Sequence, residues 1–149
     1  MDIVLAPAAI LSTPTIAVDP TSAEALEVAG ELMRVLETVE HAAAIAAPQI
    51  GSGIAMFAYR DRDRNPVILS NPTLVAARGK QLGTEGCLSF PDMVFMVLRH
   101  QAVTVLGQDI VGDTVRERFS GWHARMVQHE MDHLDGILVT SRSRRAINR

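Results

Sequence analysis

The 149-residue chain has a single cysteine, Cys87, so an intrachain disulfide is excluded and a reducing cytoplasm is the natural compartment. Lysine is nearly absent: 13 of the 14 basic residues are arginine, which reads as a composition effect rather than chemistry. Neither sign of charge dominates, and a formal net charge of -3 with a pI of about 5.9 gives no global basic field for nucleic acid. No run approaches the roughly 18 apolar residues of a membrane span. The apolar stretch 3–11 is interrupted by Pro7 and preceded by Asp2 where a secretory leader carries positive charge. These absences leave a cytoplasmic protein with no membrane association as the expectation.

What is present suits one globular unit. Hydrophobic residues make up 48% and charged residues 21%, ordinary for a packed domain of this length. No repeat, low-complexity segment or linker divides the chain, so one domain is expected over 1–149. Asp19-Pro20-Thr21-Ser22 opens a helix running to about Glu40. Leu26, Ala29, Met33, Leu36 and Val39 recur at helical steps as its inward stripe, leaving Glu24, Glu27, Glu31 and Arg34 outside. Segments 54–59, 66–69, 102–106 and 114–119 have the short pattern of strands between turn-forming residues. The last stretch, with Arg142, Arg144, Arg145 and Arg149, reads as a solvated tail.

Residues 121–135 form the second helical pattern, with Trp122, Met126, Val127, Met131 and Leu134 on a broad buried face and Gly136 closing it. Trp122 reads here as core packing rather than substrate contact. Within this helix His129, Glu130 and His133 spell HExxH. Positions i and i+4 share a face, so two imidazoles can converge on one cation, and the intervening carboxylate can take a proton from water activated there. The fold class expected is α+β: mostly antiparallel strands around a central helix carrying the metal motif, plus an N-terminal helix.

A catalytic site of this type needs a third protein ligand. Cys87, His41, His100, His123 and the carboxylates are candidates. Cys87 lies in Glu85-Gly86-Cys87-Leu88-Ser89, a sharp loop or strand end, although a lone cysteine also serves as a small buried hydrophobe. EGCLS at 85–89 and QHEMDHLDG at 128–136 resemble two signature motifs of the peptide deformylases. Ala46-Ala47-Pro48-Gln49, followed by Ile50-Gly51, resembles the third. Order and spacing match over essentially the whole chain.

The resemblance implies that Cys87, His129 and His133 hold one divalent ion, with Glu130 as acid and base. It further implies that the Gln49 side-chain amide and the Leu88 backbone N–H stabilise an oxyanion. Ferrous iron is the metal it implies, replaceable by nickel, cobalt or zinc. The implied reaction is hydrolytic removal of formyl from N-formylmethionyl peptides, with formate released and the nascent chain as partner. A monomer with a ribosome contact through the basic tail completes that expectation. Glu85, Arg99 and Asp132 are candidates for a charge network bracing the cysteine loop against the motif helix, with ordinary surface ion pairs as the alternative. Gln128 is placed to hydrogen-bond near the first ligand.

Several positions depart from the family's pattern. Ala42-Ala43-Ala44-Ile45 stands where the family has Gly-x-Gly-Leu, adding two methyls where substrate backbone should pass. Segment 93–98 is unusually apolar, which fits core packing, a pocket for a methionine side chain or a partner surface. Leu11-Ser12 replaces a Leu-Arg pair, and with so short a tail the long final helix of some members is not expected. The alternatives are a divergent amidohydrolase acting on another formamide and a non-catalytic metal-binding paralogue. A general HExxH peptidase fits less well, because no His or Glu follows Asp135 as third ligand.

Overall fold

The computed structural model describes residues 2–148, with side chains described through Arg144. Helix α1, Ala23–Thr38, starts where the Ser22 hydroxyl accepts the Ala25 N–H at 3.2 Å, and its buried stripe is Ala25, Val28, Ala29, Leu32, Val35 and Leu36. This stripe lies one residue out of phase with the expected one. Leu26 is 47% exposed, because the small Ala25 and Ala29 let the helix lie close to the sheet on their face instead.

The strands are β1 (Ala44–Ala46), β2 (Met56–Arg60), β3 (Pro66–Arg78), β4 (Gln81–Cys87), β5 (Phe90–Arg99), β6 (Ala102–Gln108), β7 (Thr114–Ser120) and β8 (Ser143–Asn148). They form a five-stranded sheet in the order β1-β2-β3-β6-β7 and a three-stranded sheet in the order β4-β5-β8, every pairing antiparallel. Helix α2, Gly121–Leu134, follows directly from β7 and packs between the sheets, with a short α3, Val139–Arg142, leading into β8. The α+β expectation and the central motif helix hold.

Two large apolar cores and one small one result among the described residues. One large core joins α1 to Ile45, Ile50, Ile54 and Met56, and the other joins α2 to Phe57, Tyr59, Leu69, Val103, Val105 and Phe119. Segment 93–98 is β5, where alternation buries Phe95 and Val97 against Val139, so this part of the apolar run is core. Gly136 ends the α2 region at φ 71°, and a Cβ there would stand 2.9 Å from the Ser12 and Thr13 backbone.

The tail is not free. Its backbone pairs with β5 from Met93 to Val97, and Arg142 is held by Asp132; Arg149 lies outside the described residues. At the other end an extended segment straps the site loops together. Val4 N–H donates to Gln49 O at 2.7 Å, Ala6 N–H to Ser89 O at 3.0 Å, and Thr15 N–H to Leu134 O at 2.8 Å.

Candidate metal centre and groove

Helical spacing puts His129 and His133 one above the other on α2, ring centroids 5.0 Å apart, both buried. Cys87 reaches them from the end of β4, where the pairing register shifts between Glu85 and Cys87 and turns the sulfur toward the helix. Its Sγ lies 3.4 Å from His133 Nε2, and one donor atom from each of the three residues falls within 4.8 Å of the others.

A cation suits this donor set. Sulfur and nitrogen ligands at about 2.3 and 2.1 Å on a tetrahedral centre stand about 3.6 Å apart, close to the spacing present. His129 Nδ1 is 2.9 Å from Glu85 Oε1, which directs its other nitrogen toward the shared space. Burial alone would depress the His129 pKa, yet hydrogen bonds with Cys87 and Glu85 and the charge of Glu130 raise it to about 10. His133 moves the other way, to about 3, through burial and then the charges of His129 and Arg99, and so offers a neutral imidazole.

Gln49 sits on the 3₁₀ turn Ala47–Ile50 and is pinned at both ends of its amide. The Ala46 N–H donates to Oε1 at 3.0 Å, while Nε2 donates to Ser89 Oγ at 3.1 Å and points at Cys87 Sγ at 3.7 Å. Ser89 in turn donates to Val4 O at 2.7 Å. Leu88 occupies the two-residue turn after Cys87 and lines the groove. Glu130 also lines it; burial first of all raises its pKa to about 7, and its Oε2 has no hydrogen-bond partner among the described residues.

Behind the donors lies a buried network. Arg99 donates from Nε to Glu85 Oε2 and from Nη2 to Oε1, each at 2.9 Å, and from Nη1 to Asp132 Oδ2 at 2.6 Å. Arg142 donates to both Asp132 oxygens. Burial opposes the charge on Glu85, but hydrogen bonds from Arg99 and His129 bring its pKa down to about 2. Glu85, Arg99 and Asp132 thus form the bracing network expected, and not surface pairs.

The sequence reading missed Arg125, which joins Glu85 from α2 at 2.8 Å. The available signal was a charged residue set among Ala124, Met126 and Val127 on an inward face. It also missed Ser89 as the anchor of Gln49. Gln128 faces elsewhere: it exchanges hydrogen bonds with the His100 backbone and takes no part in the metal site. Trp122 is not core either, being 56% exposed at the first turn of α2 on the groove wall.

The groove measures about 540 Å³ and is lined by two of the donors, Cys87 and His129, together with Glu130. One wall is the segment 42–44, and β1 is an edge strand, paired with β2 on one side only. Ala42 is buried in the α1 core, so its side chain is accommodated within the fold.

The sequence profile of the polypeptide deformylase family matches residues 1–148. A peptide deformylase of Dictyoglomus thermophilum is 34% identical over 134 residues, covering 90% of this chain and 86% of that protein. The crystal structure of peptide deformylase from Thermotoga maritima superimposes with a TM-score of 0.86 at 31% identity, covering 96% of this chain and 97% of that one. A Met-Ala-Ser-bound class I type b peptide deformylase from Acinetobacter baumannii gives a TM-score of 0.85 at 29% identity, covering 95% and 97%. With the metal-binding geometry and the full-length match in agreement, the chain belongs to the polypeptide deformylase family, a family of metal-dependent hydrolases.

Proposed function

We propose that this groove removes the formyl group from N-formylmethionyl peptides, releasing formate and a free amino terminus, within one domain formed by the chain. The observation that carries the reading is the convergence of Cys87, His129 and His133 beside an unpartnered, buried Glu130 oxygen. These three residues would hold one divalent ion, which supplies Lewis acidity that polarises a carbonyl and acidifies water. The resident ion in this proposal is ferrous iron, with zinc, nickel or cobalt as substitutes, since one thiolate and two imidazoles suit all of them.

The chain's own groups do the rest. Glu130 Oε2 receives the proton of the attacking water as the oxygen adds to the formyl carbon. The carbonyl oxygen gains negative charge, and Gln49 Nε2 and the Leu88 N–H donate to it; removing one such donor costs about 3 kcal/mol. Glu130 then passes its proton to the peptide nitrogen as the C–N bond breaks. Pinning of the Gln49 amide by Ala46 and Ser89 supports its role, because a donor fixed in advance needs no reorganisation. The free edge of β1 suits an extended peptide, which can add to it as a further strand. Ala42 packed in the core removes one motive for assigning a different formamide.

Action on nascent chains in the cytoplasm, a monomeric state and a ribosome contact through the basic tail belong to the same proposal. For that contact Arg144 is exposed, whereas Arg142 is engaged with Asp132. No helix among the described residues is long and apolar enough to cross a membrane. The test is formate release from formyl-Met-Ala-Ser, expected to vanish on chelation and with Glu130→Ala. Absence of formate from ion-loaded protein at high substrate refutes the reading.

A further inference from the structure

We propose that Arg125 is a positioning residue for the metal site, fixing from α2 the carboxylate of Glu85 that orients His129. The inference rests on Cys87, His129 and His133 being the ligands. Arg125 is buried, and both terminal nitrogens of its guanidinium are engaged by two strands. Nη1 donates to Glu85 Oε2 at 2.8 Å, to Val97 O at 2.9 Å and, more weakly, to Gly83 O at 3.4 Å, while Nη2 donates to Gln81 O at 3.0 Å.

Counting donors on Glu85 shows what this adds. Oε1 receives Arg99 Nη2 and His129 Nδ1, and Oε2 receives Arg99 Nε and Arg125 Nη1. A carboxylate has about four lone-pair sites, so Arg125 fills the last one. Arg99, however, stands on β5 and holds Glu85 on the neighbouring β4. That grip reaches the helix carrying the imidazole only indirectly, through Arg99 Nη1 and Asp132 Oδ2 at 2.6 Å on the turn after His129. Arg125 lies one helical turn before His129 on the same face of α2, so it ties Glu85 to that very helix.

The strand is shaped to admit it. Gly83 has no side chain where the guanidinium lies, and a Cβ there would stand 3.0 Å from Nη2 and 3.2 Å from Cζ. Three backbone carbonyls then hold the guanidinium plane, leaving Nη1 a single direction toward Glu85. Removing Arg125 leaves Glu85 paired with Arg99, so the fold keeps its counterion while the His129 orientation loses its stop.

The experiment compares wild type, Arg125→Met, Arg125→Lys and Gly83→Ala. Each is titrated with Co2+ against a competing chelator under anaerobic conditions, with visible spectra and formate kinetics recorded. We expect Arg125→Met to bind Co2+ about tenfold more weakly. Its ligand-field bands shift while the thiolate charge-transfer band stays, and kcat falls with KM unchanged. Arg125→Lys recovers part of each change. Gly83→Ala keeps Arg125 but displaces its guanidinium, so it moves the same observables less and in the same direction, and it carries the test if Arg125→Met does not fold. Unaltered Co2+ affinity and bands in both Arg125→Met and Gly83→Ala overturn the proposal, whatever happens to their melting temperatures. A wild-type protein lacking any thiolate-to-cobalt band instead overturns the ligand assignment.

Discussion

The two long helices bury comparable faces for opposite purposes. All six buried residues of α1 are apolar, whereas five of the nine buried residues of α2 are ionisable: Arg125, His129, Glu130, Asp132 and His133. Helix α1 is held by area removed from water, a non-directional force that tolerates exchange of one aliphatic side chain for another. Helix α2 is apolar only toward the large sheet, through Ala124, Val127 and Leu134. Toward β4 and β5 it is held by charge-assisted hydrogen bonds whose partners are specified atom by atom. Buried charge of this kind contributes little net stability, but it fixes orientation, which is what a metal site requires.

The sharpest break of that contrast separates chemistry from scaffold on α2 itself. Glu130→Ala is expected to lower kcat by about 10² to 10⁴-fold. Metal content and thermal midpoint stay close to wild type, because Oε2 of Glu130 has no hydrogen-bond partner to lose among the described residues. Metal analysis alongside formate release checks this. A parallel loss of metal would assign Glu130 to the ligand set instead.

Next come paired substitutions that differ in how they respond to metal. Leu32→Ala in α1 opens a fully buried site and should cost about 2 to 5 kcal/mol. Glu85→Gln leaves Arg99 and Arg125 short of their shared anion and should cost roughly 3 kcal/mol or more. Ligand binding to the native state adds about 4 kcal/mol at a thousandfold excess over Kd. The gap between metal-loaded and chelated melting curves should therefore survive in Leu32→Ala and shrink in Glu85→Gln. Equal gaps in both would mean that the network does not serve the metal.

The same contrast accounts for what could be read from the sequence. Local signals were sufficient for α1, α2 and the pairing of His129 with His133, since helical period and HExxH spacing depend on neighbours within one or two turns. Cys87, by contrast, lies far away in sequence and entered the donor set only through the family resemblance. The phase of α1 was not legible, because a large Leu26 and a small Ala25 compete for the core and the sheet decides. Strand β3 continues far beyond residue 69 through Asn71, at φ 50°, and Pro72, residues that read as a stop. Strand β8 is polar and basic, and only its backbone pairing with β5 explains it. Arg125 and Ser89 were missed for a related reason. Each acts through atoms on segments distant in sequence: Gln81, Gly83 and Val97 for one, Val4 and Gln49 for the other. Trp122 was misplaced because an aromatic residue on an amphipathic helix reads as core, yet its turn faces a groove that two sheets create.

A smaller effect compares two buried acids. Burial on Glu85 is outweighed by Arg99 and His129, whereas burial on Tyr59 has no cation to offset it. Burial, then the charges of Glu117 and Asp61, raise the Tyr59 pKa from 10.0 to about 12. The folded state thus holds the phenolic proton more tightly than the unfolded chain. The contribution is complete below about pH 10 and is lost as pH rises toward 12, amounting to on the order of 2 to 3 kcal/mol. Tyr59 is the only tyrosine, so tyrosinate absorbance reports it alone. Tyr59→Phe should flatten the fall of stability across that window, and an unchanged slope would place the alkaline transition elsewhere.

The smallest expected effect lies where α2 leaves both cores. Trp122 is exposed, so Trp122→Ala should change stability by no more than about 0.5 kcal/mol. It nevertheless lines the groove about two helical turns before His129, where a bound peptide can lie against the indole. Loss of that contact should raise KM for formyl-Met-Ala-Ser about fivefold, near 1 kcal/mol, with kcat unaltered. As the only tryptophan it also reports occupancy directly: Met-Ala-Ser should shift its fluorescence in wild type and in Glu130→Ala alike. A fall in kcat at constant KM would instead place the indole at the reacting centre, and would make the first turn of α2 as much a part of the chemistry as the turns that carry the histidines.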